Sequence, residues 1–138
     1  MDLIDVQNLL IKHEGLKLKP YIDSVGKLTI GVGRNLDDNG ITKEEALHLL
    51  YHDVCDAMTD AKRLCSIWDE LSDARKSVLI NMAFNMGYAR LSQFVRFWNA
   101  IHKKDWDEAA EEMLASKWAT QVKGRATELA NMMKGNLL

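Results

Sequence analysis

The sequence predicts an α+β fold, with the strands gathered near the N-terminus and a helical lobe after them. Three observations predict it. Apolar residues step by three and four over residues 3–13 and again from Thr42 to near the end, which is the period of helices. Between those stretches Leu28, Ile30 and Val32 alternate with Thr29, Gly31 and Gly33, which is the period of a strand. The chain has 138 residues, 47% hydrophobic and 28% charged, with 1 Pro; these figures suit one globular domain, or two small lobes sharing a core, and exclude a disordered or fibrous chain.

Leu3, Val6, Leu10 and His13 make one face of the first helix, and Gly15 is its stop. Ser24-Val25-Gly26-Lys27 forms the turn of a hairpin whose return strand begins at Leu28. The polar run Asp37-Asp38-Asn39-Gly40 reads as a turn. Thr42 with Glu45 fits a capping box, after which Ala46, Leu49, Leu50, Val54, Ala57 and Met58 continue as an apolar stripe. Further helices are expected over residues 73–86, 91–102, 106–115 and 123–134, with Gly87 as a stop and Asp105 with Glu108 as a second capping pattern. Trp68, Trp98, Trp106 and Trp118 fall at helical positions and are expected in the core. Cys55 and Cys65 are too few for a disulfide scaffold. On one helix they would stand roughly 15 Å apart, too far to bridge, and they read as reduced thiols.

The chemistry concentrates between His13 and Leu36. Glu14 ends the first helix, where the negative pole of the helix dipole favours a protonated carboxyl, as a general acid requires. Asp23 stands just before the hairpin turn and Thr29 just after it, so the closing hairpin brings them together beside that helix end. Two carboxylates in different environments, with a hydroxyl beside one, can protonate a leaving oxygen and orient a water, which is what glycoside hydrolysis needs. Gly31 and Gly33 leave a strip without side chains along which a polymer could lie. Spacing alone does not decide the matter. Among 20 acidic residues such pairs recur, and a helix-ending Glu, a turn-starting Asp and a β-favouring Thr need no catalytic role.

The wider pattern is more specific. His13-Glu14-Gly15-Leu16-Lys17-Leu18-Lys19-Pro20-Tyr21-Ile22-Asp23, then Gly26, then Thr29-Ile30-Gly31-Val32-Gly33, fills every constant position of E-G-x-x-x-x-x-Y-x-D-x-x-G-x-x-T-I-G-x-G. Asn81-Met82-Ala83-Phe84-Asn85-Met86-Gly87 follows, then Trp106-Asp107-Glu108-Ala109-Ala110, Ser116-Lys117-Trp118 and Gly124-Arg125-Ala126. In this order the blocks resemble the phage lysozymes of glycoside hydrolase family 24, over most of the chain. The resemblance implies a lysozyme-like α+β fold in a single catalytic domain over 1–138. Its β-containing lobe spans about 14–41, its helical lobe about 66–138 plus the N-terminal helix at about 3–13, and a cleft lies between them. It implies an endolysin that hydrolyses, with inversion, the β-1,4 bond between N-acetylmuramic acid and N-acetylglucosamine in peptidoglycan. By the same likeness Glu14 is the catalytic acid, Asp23 the second carboxylate and Thr29 a holder of the attacking water. Arg125 pairs with the catalytic Glu, and Phe84 and Asn85 belong to the helical side of the cleft. Gly31 and Gly33 count with these as substrate-binding positions. A catalytically inactive relative that only binds peptidoglycan is the alternative.

Two departures stand out. Arg34 occupies the place where members usually carry His, and only Asn35 to Ile41 separate the strands from the Thr42 helix, as in the shorter phage and prophage members rather than the T-even type. Other signals are weaker. His48 and His52 have zinc-ligand spacing, but Leu49 stands where a metalloprotease needs Glu. Asn35-Asp37-Asn39-Gly40 lacks the twelfth-position Glu of a calcium loop, since Ala46 is there. Gly31-Val32-Gly33 is no dinucleotide fingerprint, since Leu36 occupies the third glycine's place. No metal and no cofactor is expected.

The net charge of -2 and pI of about 6.1 argue against nucleic acid as a partner, including a helix-turn-helix reading. Lys117, Lys123, Arg125 and Lys134 make a local basic cluster, suited either to an anionic wall or to plain solvation. No run of apolar residues reaches a membrane span, and the acidic start, Asp2 and Asp5, does not resemble a secretory signal. The expectation is a monomer made in the host cytoplasm that reaches the wall after a holin breaches the inner membrane.

Overall fold

In the computed structural model, which describes residues 1–136, the chain forms two compact units, Met1–His48 and the remainder from Leu49. The first unit opens with α1 (Leu3–Glu14). Asp2 caps its start by accepting from the Ile4 N–H at 2.9 Å. Gly15 ends it with φ 80° and ψ 166°, a backbone region essentially reserved for glycine. None of the α1 side chains is buried.

Three antiparallel strands follow in the order β1 (Lys17–Ile22), β2 (Leu28–Gly31) and β3 (Arg34–Asn35). β1 is an edge strand, which suits Pro20 because proline has no N–H for a ladder. The register slips between Lys17, opposite Gly31, and Tyr21, opposite Thr29. The expected hairpin turn forms, with the Asp23 N–H donating to the Lys27 carbonyl at 2.9 Å and the Gly26 N–H to the Asp23 carbonyl at 3.1 Å.

Two local readings change. The alternation through Val32 predicts a longer strand, but β2 stops at Gly31, and Val32–Gly33 turn back into β3. Gly31 and Gly33 have φ of 70° and 72°, so the two-residue pleat does not run through them. The polar run after Asn35 is one helical turn, α2 (Leu36–Asn39). Asn35 caps it by accepting from the Asp38 N–H at 3.0 Å, and acids in its first turn favour its N-terminus.

α3 (Lys43–Leu64) starts with the predicted capping box. Thr42 N–H donates to Glu45 Oε1 at 2.9 Å, and the Glu45 N–H to Thr42 Oγ1 at 3.1 Å. Of its expected apolar stripe only Ala57 is buried, while Leu49, Leu50 and Val54 stay exposed.

The second unit holds the core, drawn from residues 57–133. After a 3-10 turn at Trp68–Glu70 come α4 (Asp73–Ser92), α5 (Val95–His102), α6 (Trp106–Leu114), α7 (Lys117–Val122) and α8 (Gly124–Lys134). Trp68, Trp98 and Trp118 are buried and Trp106 is partly buried against the same core, as expected. Gly87 breaks the helix where expected: its φ of 80° and ψ of 168° are non-helical and kink α4, whose helical geometry then resumes and runs to Ser92. α5 begins four residues later than the predicted 91. Sequence periodicity also misses α7. The signal was present in Ser116, whose Oγ accepts from the Ala119 N–H at 3.2 Å as an N-cap.

Candidate active site

In the first unit the helix stop, the hairpin and the glycine turn each position one chemical group. Gly15 makes Glu14 the last helical residue of α1, with its side chain exposed. Gly33 backs that side chain: a Cβ built on Gly33 would lie 3.3 Å from Glu14 Oε2. Gly31, by contrast, has open space where a Cβ would point, so the side-chain-free strip expected over both glycines does not extend to Gly33.

Asp23 and Thr29 meet at Lys27. Asp23 Oδ1 accepts from the Val25 N–H at 3.0 Å and the Lys27 N–H at 2.9 Å, so the carboxylate also organises the turn. Thr29 Oγ1 donates to the Lys27 carbonyl at 2.9 Å. Thr29 is 2% exposed, a buried hydroxyl with its proton satisfied.

In the second unit a pocket of about 360 Å³ is lined by Leu50 and Val54 of α3, Ile80, Asn81 and Phe84 of α4, and Arg125 of α8. Phe84 and Arg125, far apart in sequence, thus border one cavity, and the exposed Leu50 and Val54 are explained as its wall. Arg125 donates from Nε to Asn81 Oδ1 at 2.9 Å, and its second guanidinium nitrogen donates to the same oxygen. Within its own unit, then, the guanidinium expected at Glu14 is held by Asn81. Trp118 Nε1 donates to Asn85 Oδ1 at 2.9 Å. Asn81 and Asn85 lie one turn apart on α4, and each has its oxygen engaged from another helix. An amide with its oxygen engaged keeps two N–H donors on its nitrogen, and of the two Asn81 lines the pocket. Sequence reasoning missed Asn81 as a site residue; its spacing of four from Asn85 within the Asn81–Gly87 block was the available signal.

Arg34, where the resemblance puts His, makes a two-pronged ion pair with Glu45 at 2.9 and 2.8 Å and a bond to the Gly40 carbonyl at 3.2 Å. That arginine hydrogen bond, then the Thr42 N–H, holds the Glu45 carboxyl down to about 2, well below the usual range. Among the described residues no cluster of three or more His, Cys, Asp or Glu could hold a metal ion.

The helix-ending Glu and the hairpin carboxylate with its threonine lie in the first unit, and the polar-lined pocket lies in the second. The phage lysozyme family matches residues 11–134, and the chain belongs to that family. It is 31% identical over 163 residues to the pre-baseplate central spike protein Gp5 of Enterobacteria phage T4, an alignment covering 97% of this chain and 28% of that protein. It is 26% identical over 163 residues to probable T4-type lysozyme 2 of Dictyostelium discoideum, covering 96% of this chain and 95% of that one. The figure for probable T4-type lysozyme 1 of the same organism is 28% over 162 residues, with the same two coverages.

Proposed function

We propose that the chain is a muramidase that hydrolyses the β-1,4 bond between N-acetylmuramic acid and N-acetylglucosamine in peptidoglycan, with inversion, during host lysis. Glu14 protonates the leaving oxygen, and Asp23 with Thr29 holds the attacking water. The observation that carries this reading is the junction at Lys27. The Thr29 proton is engaged by the Lys27 carbonyl, so its oxygen can only accept from a third partner. The Asp23 carboxylate is an acceptor as well. A water donating one proton to each turns a lone pair toward an anomeric carbon, and Asp23 takes its proton as the bond forms. On the helical unit, the amide donors of Asn81 and Asn85 beside the exposed ring of Phe84 suit acetamido carbonyls and sugar faces.

Clearing of permeabilised Gram-negative cells tests the reading. Glu14→Gln should fold normally and abolish clearing, because Gln cannot donate the proton. Activity above a few per cent would remove Glu14 from the role. Wild-type protein that binds peptidoglycan without clearing it would make the chain a glycan-binding relative instead. Inversion needs carboxyl groups in the roughly 6.5–9.5 Å class, with room for water, rather than about 5–5.5 Å. Proton NMR of the first-formed sugar end should show the α-anomer. An initial β-anomer, or a trapped glycosyl-Asp23 adduct, contradicts inversion.

A further inference from the structure

Glu14 rests on a backbone surface. Besides the 3.3 Å approach to Oε2, a Cβ on Gly33 would lie 3.6 Å from Glu14 Cδ and 3.7 Å from Cγ. Where Gly33 sits therefore limits where the Glu14 carboxyl sits. Gly33 ends the short turn out of β2 and is followed at once by Arg34, which pairs with Ile30 in the sheet.

The Arg34 side chain joins three segments. Its two terminal nitrogens grip both Glu45 oxygens in the first turn of α3, and one of them also donates to the carbonyl of Gly40, which ends α2. Glu45 is itself locked by the reciprocal bonds of its capping box with Thr42. The Arg34 and Glu45 side chains are 41% and 40% exposed, so the pair adds little to stability. A planar fork with both prongs and a carbonyl engaged is, however, a specific distance constraint, and a lysine cannot reproduce it. Alongside it the Lys27–Asp38 ion pair and the Asp37 carboxylate on the Leu28 N–H tie α2 to the hairpin.

We infer that Arg34 and Glu45 are a positioning pair that holds the Gly33 turn against Glu14 and so sets the catalytic carboxyl in place. The inference rests on the proposed role of Glu14 as the acid. Neither member touches substrate.

Kinetics on soluble peptidoglycan fragments at 20 °C, corrected for the folded fraction by urea unfolding, test it. Arg34→Gln and Arg34→Lys should each lower kcat about tenfold with KM within about twofold, the pattern of a misplaced group rather than a lost binding contact. The Glu14 Cδ resonance in carbon-13-labelled protein should move in both variants. Wild-type kcat in Arg34→Gln, whatever its stability, overturns the inference, and so does wild-type kcat in Arg34→Lys, which would make charge sufficient. Gly33→Ala leaves the ion pair intact and crowds Glu14 directly. It should lower kcat as well, and an unchanged kcat there also overturns the inference. Glu14→Gln run in parallel separates the two failures. If it retains activity, the reading of the acid fails. If it is dead while Arg34→Gln keeps kcat, only the positioning pair fails.

Discussion

Asp23 organises the hairpin turn, and in the proposed mechanism the same carboxylate also holds the water. Oδ1 accepts two backbone N–H groups of the turn, and the negative charge is what the proposed water needs. The jobs separate by mutation. Asp23→Asn keeps an acceptor at Oδ1 and should leave stability within about 0.5 kcal/mol, whereas Asp23→Ala strands two turn donors and should cost about 1 kcal/mol. Both should cripple clearing of permeabilised cells. Denaturant midpoints measured beside the rates check the split, and a near-normal rate in Asp23→Asn would move the water-holding role elsewhere. Thr29 was legible as a candidate from its place after the turn. Its burial was not, because the β2 position that covers it depends on pairing with both neighbouring strands.

At the scale of elements, glycines at positive φ decide where helices end or bend. Gly15 and Gly87 were both read as stops, from the same signal of a glycine after an apolar run. Gly15 ends α1 because a strand follows. Gly87 breaks α4 with the same backbone geometry, but Tyr88 to Ser92 then resume a helix and bury Leu91, so the break is a kink between two helical stretches. No atom lies within 4 Å of a Cβ at Gly87, so the cost of a side chain there is conformational rather than steric. Gly87→Ala should therefore destabilise by about 1–3 kcal/mol, measured by urea unfolding. A neutral result would mean that the kink relaxes without loss. The helices at 106–115 and 123–134 were legible to within a residue because their caps and periods are local. α7 escaped because its six residues are too short to display a period.

For the whole molecule, charge pairing gives stability a direction with pH. The Glu45 carboxyl is held down to about 2 by Arg34, against roughly 4.3 in an unfolded chain. Its contribution is complete above the unfolded value and is lost as pH falls through the folded one. Because the pair is exposed, Glu45→Gln should lower the melting temperature only slightly at pH 7, and that small gap to wild type should narrow between about pH 5 and pH 2. A gap that stays constant across that range would show that the carboxylate charge is not what matters. No helix among the described residues is long and apolar enough to cross a membrane. If the enzyme acts in host lysis as proposed, protein expressed in intact cells should accumulate without lysis until the inner membrane is permeabilised. Prompt lysis on expression alone would contradict that route.

The sequence by itself determined the bounds of the helices with clear local caps and periods, the hairpin, and the family, and it named Glu14, Asp23 and Thr29 as candidates. Each of these rests on residues within a few positions of one another, where capping, turn geometry and periodicity act through the local backbone. Tertiary structure alone decided that Gly33 backs Glu14, that Arg34 grips Glu45, and that Asn81 and Asn85 are oriented by Arg125 and Trp118. The last two contacts span 44 and 33 positions. Such pairs depend on how helices and strands pack, and packing is a sum over many side chains that no local signal carries.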